Sequence, residues 1–139
     1  MATSLDFLVG CELTKFRFLA AAYGQLNATW TLPNLIGWPK AKELLYTGRV
    51  VTAEEAHRIG LLNHLVSTDK VLEKSMELAN QIAANYPTSV QGTKALILEG
   101  LGRTLKEQWD AEHAAREQRF RGLSIEEGFK DFISQKGRK

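Results

Sequence analysis

The segment FLVGCELTKF, residues 7–16, holds the side chains of this sequence that are best placed to do chemistry. Gly10, Cys11 and Glu12 follow an apolar run, so a turn there would present a thiol and a carboxylate at a strand end. A carboxylate acts as a general acid or base only with a partner group or a polarised substrate nearby. Cys11 has no His–Asn pair near it in sequence, which favours a small core residue over a nucleophile. Glu12 is therefore open to two interpretations, a catalytic carboxylate or a structural one.

Few other reactive groups occur along the chain. His57, His64 and His113 lack the spacing of metal ligands, and phosphate-binding Gly-rich loops of the usual spacings do not occur. The alternating charges of residues 105–121 fit a solvated helix face with some i,i+4 pairing. The sequence therefore predicts no metal site.

Composition indicates an ordinary globular domain. The 139 residues are 44% hydrophobic and 24% charged, and the net charge of +2 implies no broad field for nucleic acid or a membrane. A single cysteine fits a reducing compartment, and no secretory signal or apolar run of about 18 residues is present. We predict a cytoplasmic chain with neither a nucleic-acid nor a membrane partner.

Residues 1–51 are predicted to form part of a strand-bearing core. Residues 6–11 fit a short buried strand, and residues 15–18 fit a second extended piece. Residues 32–36 fit a helical turn ended by Gly37, after which Pro39 opens a helix that stops at Gly48. Strands with apolar faces on both sides need neighbours, so we expect covering elements from another segment or another chain.

Residues 52–139 are predicted to be mainly helical, with helices of the oligomerisation type. A capping box at residues 52–55 opens a helix that ends at Gly60, and residues 61–66 fit a strand. Amphipathic patterns predict helices over about 71–83, 89–99 and 105–120, and a second capping box at residues 124–127 opens a last helix. The expected fold class is α/β.

Four stretches resemble the enoyl-CoA hydratase/isomerase, or crotonase, superfamily. The strongest is LLYTGRVVTAEEAHRIGLLNHLV, residues 44–66. LPNLIGWPKAKELL, LANQIAANYPTSVQGTKALI and SIEEGFKDFISQK are similar to family segments in the same order. The resemblance implies the C-terminal portion of a crotonase-like fold, the ClpP/crotonase spiral. It also implies a parent activity on acyl-CoA thioesters in fatty acid metabolism, as a hydratase (a lyase) or an isomerase.

The resemblance allows two registers for the opening segment. In one, Glu12 matches the first catalytic glutamate, but a large deletion must follow. In the other, Glu12 matches a strand-end glutamate and the match continues without a gap to Gly24, so we prefer it. Ala20 then stands where the family's second catalytic glutamate is expected, and residues 25–29 replace a Gly-rich loop. The first glutamate and both oxyanion amides would lie in family segments upstream of Asp6. We expect the chain as given to be catalytically incompetent.

The family's last helix implies a binding site for the adenine and phosphate end of coenzyme A. Phe132 matches the family's phenylalanine, Gln135 stands in the lysine position, and Lys136 follows it. Phe132 fits ordinary helix packing equally well. The resemblance implies an acyl-CoA ligand, with coenzyme A present only as part of the substrate and no covalently bound cofactor. It also implies a homotrimer, or a hexamer built as a dimer of trimers. The alternative is a non-catalytic, degenerate crotonase module that serves in oligomerisation or CoA binding.

Overall fold

The computed structural model describes residues 2–120 and 122–130 of the chain. Their contacts divide into two compact units, one that ends at Leu78 and one that begins at Ala79. The boundary predicted between residues 51 and 52 stays a prediction. In the described residues the strands and helices are β1 (Val9–Gly10), β2 (Lys15–Arg17), α1 (Leu32–Ile36), α2 (Trp38–Thr47), β3 (Val50–Thr52), α3 (Ala53–Arg58), β4 (His64–Leu65), α4 (Val71–Ala83), α5 (Pro87–Glu99), α6 (Leu105–Gln118) and α7 (Ile125–Gly128).

The first unit contains two small sheets and a helical core. Strand β1 pairs in parallel with β4, and β2 pairs antiparallel with β3. Helices α1 and α2 follow the sequence signals, since Pro39 lies in the first turn of α2 and Gly48 ends that helix with a left-handed φ of 58°. The side chains buried between these elements are Phe18, Leu32, Ala41, Leu44, Val51, Ala56, Leu61 and Leu62.

Three predicted elements of this unit differ from the observed ones. The strand predicted over residues 6–11 is limited to Val9–Gly10. The strand predicted over residues 61–66 is limited to His64–Leu65, because the amides of Leu61 and Leu62 both donate to the Ala56 carbonyl after α3. The capping box at residues 52–55 is only half formed. The Glu55 amide donates to the Thr52 hydroxyl at 3.3 Å, but the Glu55 carboxylate binds Arg49 instead of the Thr52 amide.

The second unit is helical, as the amphipathic patterns predicted. Phe120 lies against α5 at Gly92, where an added Cβ would come within 2.8 Å of the ring. Arg119 donates to the Glu99 carboxylate at 2.8 Å. The capping box predicted at residues 124–127 is confirmed, since the Glu127 amide donates to the Ser124 hydroxyl and the Ser124 amide to the Glu127 carboxylate, both at 3.2 Å. None of the helices in residues 2–120 and 122–130 is long and apolar enough to cross a membrane.

Candidate functional site

Ala20, which is predicted to stand where the family has a catalytic glutamate, is the first residue of a short 3₁₀ turn, Ala20–Tyr23. Gly24 ends this turn with a left-handed φ of 65°, and its amide donates to the Ala20 and Ala21 carbonyls. Ala20 is half-buried and offers only a methyl group. A methyl group can neither accept nor donate a proton, so this position contributes no acid–base chemistry.

One residue in the segment after this turn has a backbone conformation that glycine prefers. Ala28 has a φ of 52° and is the only non-glycine residue with positive φ among the described residues. An L-residue in this left-handed region costs about 1–2 kcal/mol, which glycine avoids. The backbone therefore takes a glycine-like path within residues 25–29, where the resemblance expects a Gly-rich loop.

A cavity of about 240 Å³ lies beside residues that flank the 3₁₀ turn. Arg17 and Trp30 line it, and the Arg17 Nε donates to the Gly48 carbonyl at 2.8 Å. Thr31 is buried there and donates its hydroxyl to Thr3 at 3.0 Å. The lining residues supply hydroxyl, amide and guanidinium groups. None of the lining residues that the structure describes has a carboxylate. A ligand could be held by polar contacts in this cavity, but no general base lines it.

Glu12 lies in the turn between β1 and β2. Its carboxylate is exposed and accepts a hydrogen bond from the Thr68 hydroxyl at 2.8 Å. The turn closes when the Thr14 amide donates to the Cys11 carbonyl at 2.9 Å, and the Thr14 hydroxyl accepts from the Cys11 amide at 3.0 Å. Through its hydrogen bond from Thr68, the Glu12 carboxylate connects the turn to the segment after β4. That Glu12 has no catalytic role stays a prediction.

Cys11 is a free, half-buried thiol in the same turn. A hydrogen bond with the Thr68 side chain lowers the pKa of the Cys11 thiol, and bonds from the Leu13 backbone and Thr14 act in the same direction against desolvation and the charge of Glu12. The geometry brings no histidine to this thiol among the contacts of the described residues, so it supplies no nucleophile–base pair.

An ion-pair cluster around Arg49 has no counterpart among the sequence-based predictions. The Arg49 guanidinium binds the Glu55 carboxylate through two nitrogens, at 2.6 and 2.7 Å, and the Glu43 carboxylate at 2.5 and 2.9 Å. Hydrogen bonds from Arg49 lower the pKa of Glu55, and bonds from Lys40 and then Arg49 lower that of Glu43. Both carboxylates stay ionised near neutral pH, which suits structural pairing and not general-acid chemistry.

The histidines do not assemble into a site. The His57 ring Nδ1 lies 3.1 Å from the Leu62 carbonyl, and the His113 Nδ1 lies 2.9 Å from the Trp109 carbonyl. No group of three His, Cys, Asp or Glu side chains in the part of the chain that the structure describes is placed to hold a metal ion. Phe132, Gln135 and Lys136 lie outside the described residues, so their contact with coenzyme A stays a prediction.

Solved structures with the same arrangement are enoyl-CoA hydratases. The chain superposes on the crystal structure of an enoyl-CoA hydratase from Bacillus anthracis with a TM-score of 0.87 and 31% identity. The superposition covers 96% of this chain and 53% of that one. The fold is therefore that of the crotonase-type enoyl-CoA hydratases.

Sequence comparisons give the family. The enoyl-CoA hydratase/isomerase family model matches residues 1–138, and the chain belongs to this family. The Bacillus subtilis protein named "Putative enoyl-CoA hydratase/isomerase YngF" is 42% identical over 106 residues, which are 76% of this chain and 41% of YngF. A short-chain-enoyl-CoA hydratase from Clostridioides difficile is 36% identical over 108 residues, covering 67% of this chain and 70% of that protein. The matched segment thus covers less than half of YngF, and the superposition covers about half of the Bacillus anthracis enzyme.

Proposed function

We propose that this chain corresponds to the C-terminal half of a crotonase fold, binds acyl-CoA thioesters, and does not turn them over as the 139-residue polypeptide. The observation that carries the proposal is the methyl group of Ala20 at the position where the resemblance expects a glutamate. A cytoplasmic role in fatty acid metabolism is part of the same proposal.

The chemistry of hydration explains why this observation matters. Adding water to an α,β-unsaturated thioester needs a group that takes a proton from water and a group that returns one to carbon. A positioned acid or base contributes about 10²–10⁴-fold, and each oxyanion donor contributes about 10²–10³-fold. The Glu12 carboxylate already accepts a hydrogen bond from Thr68, and the carboxylates of Glu43 and Glu55 are already paired with Arg49. They are poor substitutes for a glutamate at Ala20.

An assay of crotonyl-CoA hydration tests the catalytic part of the proposal. Loss of absorbance from the conjugated thioester is followed with the purified 139-residue chain, and with the short-chain-enoyl-CoA hydratase of Clostridioides difficile as the positive control. We expect no rate above the uncatalysed one, together with measurable binding of coenzyme A by calorimetry. Turnover by the 139-residue chain would refute its incompetence, and absence of CoA binding would refute the ligand.

A chimera tests the assignment of Ala20 more sharply. The part of the Bacillus anthracis enoyl-CoA hydratase that lies outside the superposition is fused before this chain, and Ala20 is replaced by glutamate or glutamine. Ala20→Glu is expected to raise hydration by about 10²–10⁴-fold over the parent chimera. Ala20→Gln is the matched control, since it has nearly the same size and cannot accept the proton. Equal rates for the two variants would show that position 20 is not the acid–base position.

The alternative function is a non-catalytic module that assembles into a homo-oligomer. An exposed apolar cluster at the end of α5 and the start of α6 favours this module. The cluster consists of Ile97, Leu98, Leu101 and Leu105, which lie close together in sequence. Size-exclusion chromatography with light scattering separates the candidates. A trimer or hexamer without CoA binding supports the module, whereas binding of coenzyme A in any oligomeric state supports the ligand-binding proposal.

A further inference from the structure

Arg17 brings a positive charge to the cavity of about 240 Å³. Its Nε donates to the Gly48 carbonyl at 2.8 Å, which holds one edge of the guanidinium in place. The two Nη groups of Arg17 have no hydrogen-bond or ion-pair partner in residues 2–120 and 122–130. A guanidinium also donates through these two groups, so their N–H donors remain for a ligand.

The other polar groups of this cavity are neutral. Asn27 contributes an exposed amide and Thr31 a buried hydroxyl, and no carboxylate lines the cavity within the described residues. A guanidinium among neutral groups attracts an anion, and its planar fork pairs with a carboxylate through two parallel hydrogen bonds. The charge of the lining therefore favours a negatively charged ligand.

Trp30 and the volume of the cavity define the rest of the ligand. The Trp30 side chain lines the cavity and is 69% exposed, so its indole is accessible to a small molecule. An indole offers a flat apolar surface on which a planar ring stacks in an offset arrangement. Pockets for drug-sized molecules have volumes of about 300–1,000 Å³. The smaller volume here favours a smaller, planar molecule.

The backbone of the cavity wall supplies a further observation, which is independent of Arg17. Ala28 lines the cavity and has a φ of 52°, a left-handed conformation that is strained for an alanine. Strained residues persist where the surrounding structure holds them, and they cluster at ligand-binding and active sites. The strain at Ala28 therefore supports a binding site at this position.

We propose that the cavity at Arg17 and Trp30 binds a small planar monocarboxylate. The carboxylate lies across the two Nη groups of Arg17, and the planar body of the ligand lies against the indole. A carboxylate carries a full negative charge, whereas the carbonyl of a thioester carries none, so this ligand differs from the acyl-CoA of the proposed function. Binding here needs neither coenzyme A nor a catalytic group at Ala20, so the inference goes beyond the proposed function.

An NMR titration of the 139-residue chain with benzoate tests the proposal. Benzamide is the matched control, because it has nearly the same shape and carries no charge. We expect benzoate to bind about 10-fold more tightly than benzamide, as the loss of a charge-assisted pair predicts. Inorganic phosphate is an anion without a planar body and is expected to bind more weakly than benzoate. Benzamide or phosphate binding as tightly as benzoate would overturn the proposal.

Two variants distinguish a direct contact from an effect of net charge. Arg17→Gln removes the guanidinium, whereas Lys15→Gln removes one positive charge from the same strand at a residue that does not line the cavity. We expect Arg17→Gln to weaken benzoate binding about 10-fold. Lys15→Gln is expected to weaken it about 2-fold or less, because its charge acts only through solvent and is screened by salt. Equal effects of the two variants would contradict a contact with Arg17.

The unsubstituted chain gives a readout that does not depend on a variant's folding. The indole N–H resonance of Trp30 is expected to shift with benzoate, and those of Trp38 and Trp109, which do not line the cavity, are expected to stay unchanged. Shifts at Trp38 or Trp109 without one at Trp30 would overturn the proposal. Benzoate binding without CoA binding overturns only the ligand of the proposed function, and CoA binding without benzoate binding overturns only this inference.

Discussion

Replacing Gly10 by alanine is expected to destabilise the first unit strongly, because the backbone there has no room for a methyl group. A Cβ on Gly10 would lie 2.6 Å from the Thr14 hydroxyl oxygen and 3.1 and 3.2 Å from two methyl carbons of Leu62. Leu62 is 2% exposed and belongs to the core, so it has little freedom to move away. The Thr14 side chain must therefore rotate or β1 must shift.

The size of the effect follows from these contacts. Overpacking a core by one methyl group costs about 1–3 kcal/mol. The Thr14 hydroxyl also accepts a hydrogen bond from the Cys11 amide at 3.0 Å, and losing it costs about 0.5–1.5 kcal/mol. We expect Gly10→Ala to lower the free energy of unfolding by about 2–4 kcal/mol in total.

Urea unfolding followed by far-UV circular dichroism measures this loss. Thr14→Ala removes the hydroxyl that meets the new methyl group, so Gly10→Ala is expected to cost about 1–2 kcal/mol less in that background. Two results would refute the reasoning. One is a Gly10→Ala variant as stable as the parent, and the other is the same cost of Gly10→Ala with and without the Thr14 hydroxyl.

Two further perturbations test other features of the first unit. Ala28→Gly is expected to raise the free energy of unfolding by about 0.5–1 kcal/mol in the same urea assay, because relief of the left-handed φ outweighs the extra entropy of an unfolded glycine; a less stable variant would contradict this. Arg49 lowers the pKa of Glu55, so this carboxylate stabilises the fold fully above its ordinary pKa and loses that contribution as pH falls through the lowered one. Glu55→Gln is therefore expected to flatten the acid side of the stability–pH curve, measured by urea unfolding across that range, and an unchanged slope would count against the pairing.

Local signals are enough to predict the helices of this chain. Gly37 and Gly48 end α1 and α2 where the sequence pattern places those ends, since both positions need a positive φ that glycine adopts at little cost. The family resemblance is equally informative, because short motifs in a fixed order specify a family that composition does not. The family and the α/β fold class can therefore be predicted from the amino-acid sequence alone.

Competition between alternative hydrogen-bond partners is not predictable in the same way. Residues 61–66 fit a strand in sequence, but the amides of Leu61 and Leu62 donate to the Ala56 carbonyl at the end of α3, which leaves two residues for β4. The spacing of Thr52 and Glu55 predicts a capping box, yet the guanidinium of Arg49 binds the Glu55 carboxylate through two charge-assisted bonds. A competing charged partner across a strand leaves no local signal in the sequence.

Local contacts account for the residues of the Gly-Cys-Glu turn without a catalytic role. Steric contact with Thr14 explains Gly10, and a hydrogen bond with Thr68 explains the position of Glu12, so neither residue needs a catalytic role to account for it. Ala28 likewise keeps a glycine-like φ although its side chain is a methyl group. If the path of the chain is set by such packing, the side chain at position 20 can change without refolding its surroundings. If the proposed function is correct, a carboxylate at position 20 together with the complementary half of the fold is expected to give hydration activity without a redesign of the turn.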